Sequence, residues 1–169
     1  MSSTYQKQNA YKSKDEWLTP PYIIKELGKF DLDPCAPVVR CFETAKKYYT
    51  KVDNGLSKEW AGRVWLNPPY GKEAEKWISK LSEHNNGIAL LFSRTETKMF
   101  FDYVWGKADA IFFIRGRLRF YHANGTCSNS ATAPSCLIAY GKNNVEALIN
   151  INKKNIDGKL LIINGKTNE

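Results

Sequence analysis

The sequence predicts an α/β protein: a mostly parallel sheet with helices on both faces, in a single domain. Short continuous apolar runs such as Ile88–Phe92 and Ala110–Ile114 read as strands buried on both sides. They alternate with amphipathic segments of helical period. The length, 169 residues, leaves room for one compact domain and not for a second large one.

Residues 1–14 are polar, with Lys7, Lys12 and Lys14 and little to bury, so they read as a flexible basic arm before a domain spanning 15–169. Thr19 is placed to cap a helix with Pro20 at its first position; Ile23, Ile24 and Leu27 form its apolar face, and Gly28 ends it. Phe30–Asp33 reads as a short strand stopped by Pro34, and Lys47–Thr50 as another. Arg63–Leu66 is a buried strand stopped by Pro68 and Pro69. Ala74, Trp77, Ile78 and Leu81 recur at i, i+3, i+4, i+7, which predicts an amphipathic helix over 72–84. Strand Ile88–Phe92 follows, then a helix over Thr95–Val104 with Met99, Phe100 and Tyr103 inward. Ala110–Ile114, Cys136–Tyr140 and Leu160–Ile163 are further strands, with a helix around Val145–Asn152.

Composition narrows the function. Lys plus Arg number 25 against 17 Asp plus Glu, and the resulting +8 favours a polyanionic partner such as nucleic acid. No apolar run approaches the ~18 residues of a membrane helix, and the N-terminus lacks the apolar core of a secretory signal, so a cytoplasmic protein is expected. Of the 11 glycines, no two lie closer than seven residues. That excludes the GxGxxG fingerprint and the GxxxxGK[ST] phosphate loop, and with them standard nicotinamide enzymes, kinases and ATPases. The four cysteines form no CxxC pair and match no familiar zinc spacing, so no metal site is expected. His84 and His122 alone offer little material for a histidine-based hydrolase.

In open α/β sheets, ligands bind outside the carboxyl ends of the strands. That rule picks out Asp33-Pro34, Asn67-Pro68-Pro69-Tyr70 and Ser93-Arg94. The tetrapeptide is the sharpest signal. Two successive prolines fix φ and lack N–H donors, so the turn is stiff and its carbonyls are free to face a site. The Asn67 side chain adds another carbonyl. Two acceptors held together bind an amine through both hydrogens, leave its lone pair available and stabilise positive charge as the nitrogen attacks a methyl donor. Tyr70 can stack on a planar heterocycle. No general base is needed before attack.

Here the sequence resembles the amino-methyltransferases that use S-adenosylmethionine, whose Asn-Pro-Pro-Tyr motif methylates exocyclic amines of adenine. More closely it resembles the phage-type DNA adenine methyltransferases, a short Dam-like family. The matching stretches are Trp17-Leu-Thr-Pro-Pro-Tyr, Phe30-Asp-Leu-Asp-Pro-Cys-Ala, Asn54-Gly-Leu with Trp60, Trp65-Leu-Asn-Pro-Pro-Tyr-Gly, Arg94-Thr-Glu-Thr-Lys-Met-Phe and Gly116-Arg-Leu-Arg-Phe. The resemblance implies a Rossmann-like methyltransferase sheet and transfer of a methyl group to adenine N6. The implied setting is a bacterial host cell and a phage or prophage gene. It assigns catalysis to Asn67, Pro68, Pro69 and Tyr70. It places Trp17, Thr19 and Pro20 beside the methionine part of S-adenosylmethionine, with Pro34 and Asn67 also at the cofactor. Asp33, and Asp31 on the same strand face, would receive its ammonium or ribose hydroxyls. Asp53 would reach its ribose or adenine end, although Asp-Asn-Gly is also an excellent turn. The chain departs from most methyltransferases in lacking a glycine-rich loop after the first strand.

On the DNA side, the chain has six arginines, four of them between 94 and 119. If 110–119 continues as one strand, Arg115, Arg117 and Arg119 share a face suited to phosphate or base contacts; a solvated sheet edge is the plainer alternative. Arg94, with Thr95, lies at a strand end where it would meet a phosphate or pair with Glu96 or Asp102. Residues 121–135 are small and polar and read as a mobile loop beside the pocket. Reaching an adenine in double-stranded DNA requires flipping it out of the stack. Two other readings share these residues: a methyltransferase acting on a protein glutamine amide, and a non-catalytic nucleic-acid-binding protein that kept the fold.

Overall fold

The structure, a computed structural model, describes residues 17–151 and 156–163. The basic arm expected at 1–14 lies outside the described residues. These form a seven-stranded sheet in the order β2-β1-β3-β4-β8-β5-β9 and a separate two-stranded hairpin, β6-β7. The strands are β1 Leu32–Asp33, β2 Lys47–Tyr48, β3 Val64–Leu66, β4 Gly87–Phe92, β5 Ala110–Ile114, β6 Arg119–Tyr121, β7 Cys127–Ser130, β8 Ser135–Tyr140 and β9 Gly158–Ile162.

The sheet is mixed, which corrects the mostly parallel expectation. β2, β1, β3 and β4 pair in parallel. Strand β8 lies antiparallel between β4 and β5, and β9 closes the edge antiparallel to β5. All six residues of β8 are buried. A strand buried on both faces reads as a continuous apolar run whichever way it points, so the pattern reports burial and not direction.

Helices cover both faces, as the periodicity predicts. Helices α1 (Pro21–Leu27) and α4 (Lys142–Ile151) place Ile23, Leu27, Leu148 and Ile151 against Trp65, Ile88, Leu90, Phe112 and Leu137. Helix α2 (Ala74–His84) puts Trp77, Ile78 and Leu81 on the other face, with Val64, Leu66, Ala89, Leu91 and Ile138. The period-two split of β3, with Trp65 on one side and Val64 and Leu66 on the other, matches strand geometry.

Several elements differ from expectation. Helix α1 starts one residue later, with Pro20 as its N-cap and no side-chain cap, so Thr19 is released from the capping role. The helix expected over Thr95–Val104 is a short helix, α3 (Lys98–Phe100), running into a π-turn over Phe101–Trp105. Thr97 caps it, and the Trp105 indole donates to the Thr95 carbonyl at 3.0 Å. The strand expected over 110–119 breaks at Ile114: Gly116 adopts φ +77°, a left-handed conformation that glycine tolerates. The chain then enters β6. The loop expected at 121–135 contains β7 and so is half of a hairpin.

Candidate functional site

The parallel half of the sheet aligns the carboxyl ends of β1, β2 and β3 along one edge. A cleft of about 430 Å³ opens there. Its walls come from Trp17–Thr19, from Asp33–Pro37 with Thr44, from Thr50, Lys51 and Asn54–Leu56, and from Trp65, Asn67–Tyr70, Glu73 and Trp77.

All four residues of the tetrapeptide line this cleft. The Asn67 side-chain NH₂ donates to the Trp17 carbonyl at 2.9 Å. A carbonyl accepts only, so the nitrogen end of the amide must face Trp17, and Oδ1 is the end left for the cleft. Tyr70 stacks face to face on Phe92, with ring centroids 4.0 Å apart and planes 3° apart, and meets Phe120 edge-on at 6.2 Å. Burial drives its phenol pKa upward, so the ring stays neutral, and its hydroxyl is buried without a partner.

Asp33 ends β1 with its side chain in the cleft wall and only 4% of its surface exposed. The Thr44 hydroxyl donates to one carboxylate oxygen at 2.5 Å and the Cys35 backbone N–H to the other at 3.2 Å. Desolvation dominates over these bonds and over the nearby Arg40 charge, raising the pKa to about 6. Thr19 is 3% exposed and lines the cleft with a hydroxyl that finds no partner. Such orphaned buried groups are uncommon and point to an absent partner. Gly55 closes the floor: a Cβ there would lie 2.0 Å from the Pro34 carbonyl oxygen.

Among the expected cofactor residues, Trp17, Thr19, Asp33, Pro34 and Asn67 meet in this cleft, and three do not. Pro20 is buried at the start of α1. Asp31 precedes β1 and turns outward, where it accepts from the Arg63 backbone N–H and the Lys46 ammonium, both at 2.9 Å; these contacts lower its pKa. Asp53 is exposed, and its carboxylate closes a turn by accepting from the Thr50 N–H at 2.7 Å and the Thr50 hydroxyl at 2.8 Å. The turn reading of Asp-Asn-Gly thus describes its local role. Beyond the end of β2, Lys51 and Asn54 line the cleft.

The arginines disperse. Arg115 pairs with Asp157 at 2.9 Å. Arg117 and Arg119 are exposed near the base of the hairpin and enter no ion pair among the described residues. Arg94 is exposed; Lys98, not Arg94, is the partner of Asp102. Neither Arg94 nor Thr95 lines the cleft. Thr44, Lys51, Glu73 and Trp77 do, and sequence reasoning did not single them out. Only Trp77 carried a signal, and helical periodicity reads it as core. No disulfide joins Cys35, Cys41, Cys127 and Cys136, and no group of metal-binding side chains occurs among the described residues. No helix among them is long and apolar enough to cross a membrane.

A strand-end cleft with an oriented amide, a buried carboxylate and an unpartnered hydroxyl marks an α/β protein with a candidate ligand site at the carboxyl ends of its parallel strands. The DNA N-6-adenine-methyltransferase (Dam) family model matches residues 6–160, and the chain belongs to that family. DNA is therefore its substrate class, and adenine its target base. No curated protein and no solved structure matches the chain.

Proposed function

We propose that the protein transfers a methyl group from S-adenosylmethionine to the N6 amine of adenine flipped out of double-stranded DNA, in the Asn67–Tyr70 pocket. The observation that carries this reading is the Asn67 amide, held by Trp17 with its oxygen toward the cleft. Asn67 Oδ1 and the Pro68 carbonyl accept the two N–H bonds of the target amine. The lone pair stays free, and the positive charge that builds on nitrogen is stabilised by acceptors already in place. Pro69 holds the turn, and Tyr70 packs beside the base, braced from behind by Phe92.

The cleft fits S-adenosylmethionine by the chemistry of its donors and acceptors. Asp33 suits the ammonium, Thr19 supplies the unpartnered hydroxyl, and Trp77 and Leu56 give apolar surface. When bound, that group supplies an electrophilic methyl on a sulfonium. Cofactor affinity is expected to weaken as pH falls below about 6, because the neutral Asp33 carboxyl loses its attraction for the ammonium. The steepest limit is about tenfold per pH unit. Calorimetry from about pH 7.5 to about pH 5 checks this, with folding followed in parallel. Affinity that is flat or improves on acidification removes Asp33 from the role.

Arg94, Thr95, Arg115, Arg117 and Arg119 are assigned to DNA. Exposure and lack of an ion pair favour Arg117 and Arg119, whereas Arg115 must first release Asp157. Replacing Arg117 and Arg119 with Ala is expected to weaken DNA binding across sequences and to reduce the salt slope by roughly two. An unchanged slope in an anisotropy titration removes them from the interface. A Rossmann-like architecture and action inside a bacterial host cell, from a phage or prophage gene, complete the proposal.

The direct test is methyl transfer to unmodified DNA followed by nucleoside mass spectrometry. Adenine methylated at N6 is the expected product. Methyl groups found on protein, or none from folded protein with cofactor present, overturn the proposal.

A further inference from the structure

The tripeptide Trp17-Leu18-Thr19 makes three separate connections. The Trp17 carbonyl accepts from the Asn67 amide at 2.9 Å. Leu18 forms a two-way backbone bridge with Tyr121: the Leu18 N–H donates to the Tyr121 carbonyl and the Tyr121 N–H donates to the Leu18 carbonyl, each at 2.9 Å. Thr19 lines the cleft, with its hydroxyl buried and unpartnered. The Trp17 ring also rests against His122, with centroids 5.1 Å apart. The segment is therefore not anchored through α1 alone. A short strand of the hairpin holds it, and it in turn holds the amide.

The hairpin is set on the body of the protein by apolar contacts. Leu118 and Phe120 are buried in the core, Phe120 meets Tyr70 edge-on, and Tyr121 meets Phe42 edge-on at 5.2 Å. Its base carries the exposed Arg117 and Arg119, and it leaves β5 through the left-handed Gly116. A load on the hairpin thus has a short mechanical route to the catalytic amide: Tyr121 to Leu18, Leu18 to the adjacent Trp17 carbonyl, and that carbonyl to Asn67.

We infer that the Leu18–Tyr121 bridge positions Asn67, so that the hairpin governs methyl-transfer competence as well as DNA contact. Leu18 and Tyr121 are positioning residues that act through the Trp17 carbonyl. This rests on the reading that Asn67 holds the target amine. The Asn67 amide has a second stable choice if the Trp17 carbonyl moves away: it can rotate its NH₂ toward the cleft, where a donor repels the N–H bonds it should accept. Loss of the bridge therefore impairs the chemical step more than the binding of either substrate.

The test removes one hydrogen bond at a time. Tyr121→Pro deletes the N–H that donates to Leu18. An amide-to-ester replacement at Tyr121, introduced by semisynthesis, deletes the same donor without changing a side chain or the Trp17 carbonyl, and it serves if Tyr121→Pro does not fold. Steady-state kinetics with tritiated S-adenosylmethionine and unmethylated plasmid DNA is expected to show kcat lowered about tenfold or more, with both binding constants within about twofold. In an Asn67→Ala background the same change is expected to have no further effect on kcat, because the group it positions is gone. An unaltered kcat, a loss confined to affinity, or a loss that adds fully to Asn67→Ala overturns the inference. If Asn67→Ala itself keeps full activity, the reading of the amine site fails instead, and the two failures are thereby distinct.

Discussion

Replacing Asn67 with Ala is expected to lower the rate of adenine methylation by about 10²–10³-fold, the usual cost of deleting one preorganised hydrogen-bonding group at a reacting centre. The loss should appear in kcat. Cofactor affinity should change little, because the Asn67 side chain makes no bond to Asp33 or Thr19, the groups proposed to hold the cofactor. The fold should hold. Asn67 is only half-buried, and its one side-chain bond to protein ends on a backbone carbonyl. Asn67→Asp is informative beside it. The carboxylate keeps acceptor oxygens for the amine but loses the NH₂ that donates to Trp17, so one oxygen faces a carbonyl with nothing to share. Partial activity is expected, between Ala and the native residue. Single-turnover methylation of unmodified DNA by folded protein measures both variants. A rate for Asn67→Ala within about threefold of the parent excludes the amide from the chemistry.

The second large effect lies at the far end of the sheet. Arg63 precedes β3, and its guanidinium ties three elements together. It donates to the Leu27 and Lys29 carbonyls at 3.0 Å each and to the Asn144 side-chain oxygen at 2.7 Å, and it lies over the Phe30 ring at 4.2 Å. Asn144 is fully buried and passes the connection on to the Tyr140 carbonyl and the Asn86 side chain. Arg63→Ala strands these acceptors and opens a space over Phe30. About 3 kcal/mol of destabilisation is expected, given what hydrogen bonds to a charged group contribute. In a domain of this size that corresponds to a Tm lower by on the order of 10 °C. Arg63→Lys should recover only part of it, because one ammonium cannot reproduce a planar fork that serves several acceptors. Calorimetric melting decides the matter. A Tm within about 2 °C of the parent would show the network to be ornamental.

What could be read from the sequence follows from how local each signal is. The strands β3, β4, β5 and β8 announce themselves because burial on both faces leaves unbroken apolar runs. Their relative directions do not, since pairing partners such as Leu90 and Leu137 are chosen by the connections between strands. The tetrapeptide is legible because its chemistry is contiguous: a strand, an amide, two prolines and a ring in succession. Asp33 is legible for the same reason, as the last residue of a strand before Pro34. The groups that tune these residues are not. Thr44 reaches Asp33, Trp17 reaches Asn67 and Leu18 reaches Tyr121 only after the chain has folded, and two of those contacts use backbone atoms that every residue possesses. The arginines show the converse error. Period two puts Arg115, Arg117 and Arg119 on one face only if the strand continues, and Gly116 ends it; Arg115 is then near enough to Asp157 to pair with it. Asp31 and Asp53 follow the same logic. In each, the carboxylate accepts from a backbone N–H that only the folded chain brings near.

The order of the sheet also sets the hairpin apart from the residues that build the cleft. The chain leaves the sheet at the end of β5 and re-enters at β8, and everything between, from Arg115 to Pro134, lies outside the seven-strand register. The cleft residues precede that departure, between Trp17 and Trp77. The stretch is tied to the rest of the protein by Leu118 and Phe120 in the core, by the Leu18–Tyr121 bridge, and by the ring contacts of Tyr121 with Phe42 and of His122 with Trp17. Residues 123–130 include none that line the cleft, so exchanging them leaves its composition unchanged.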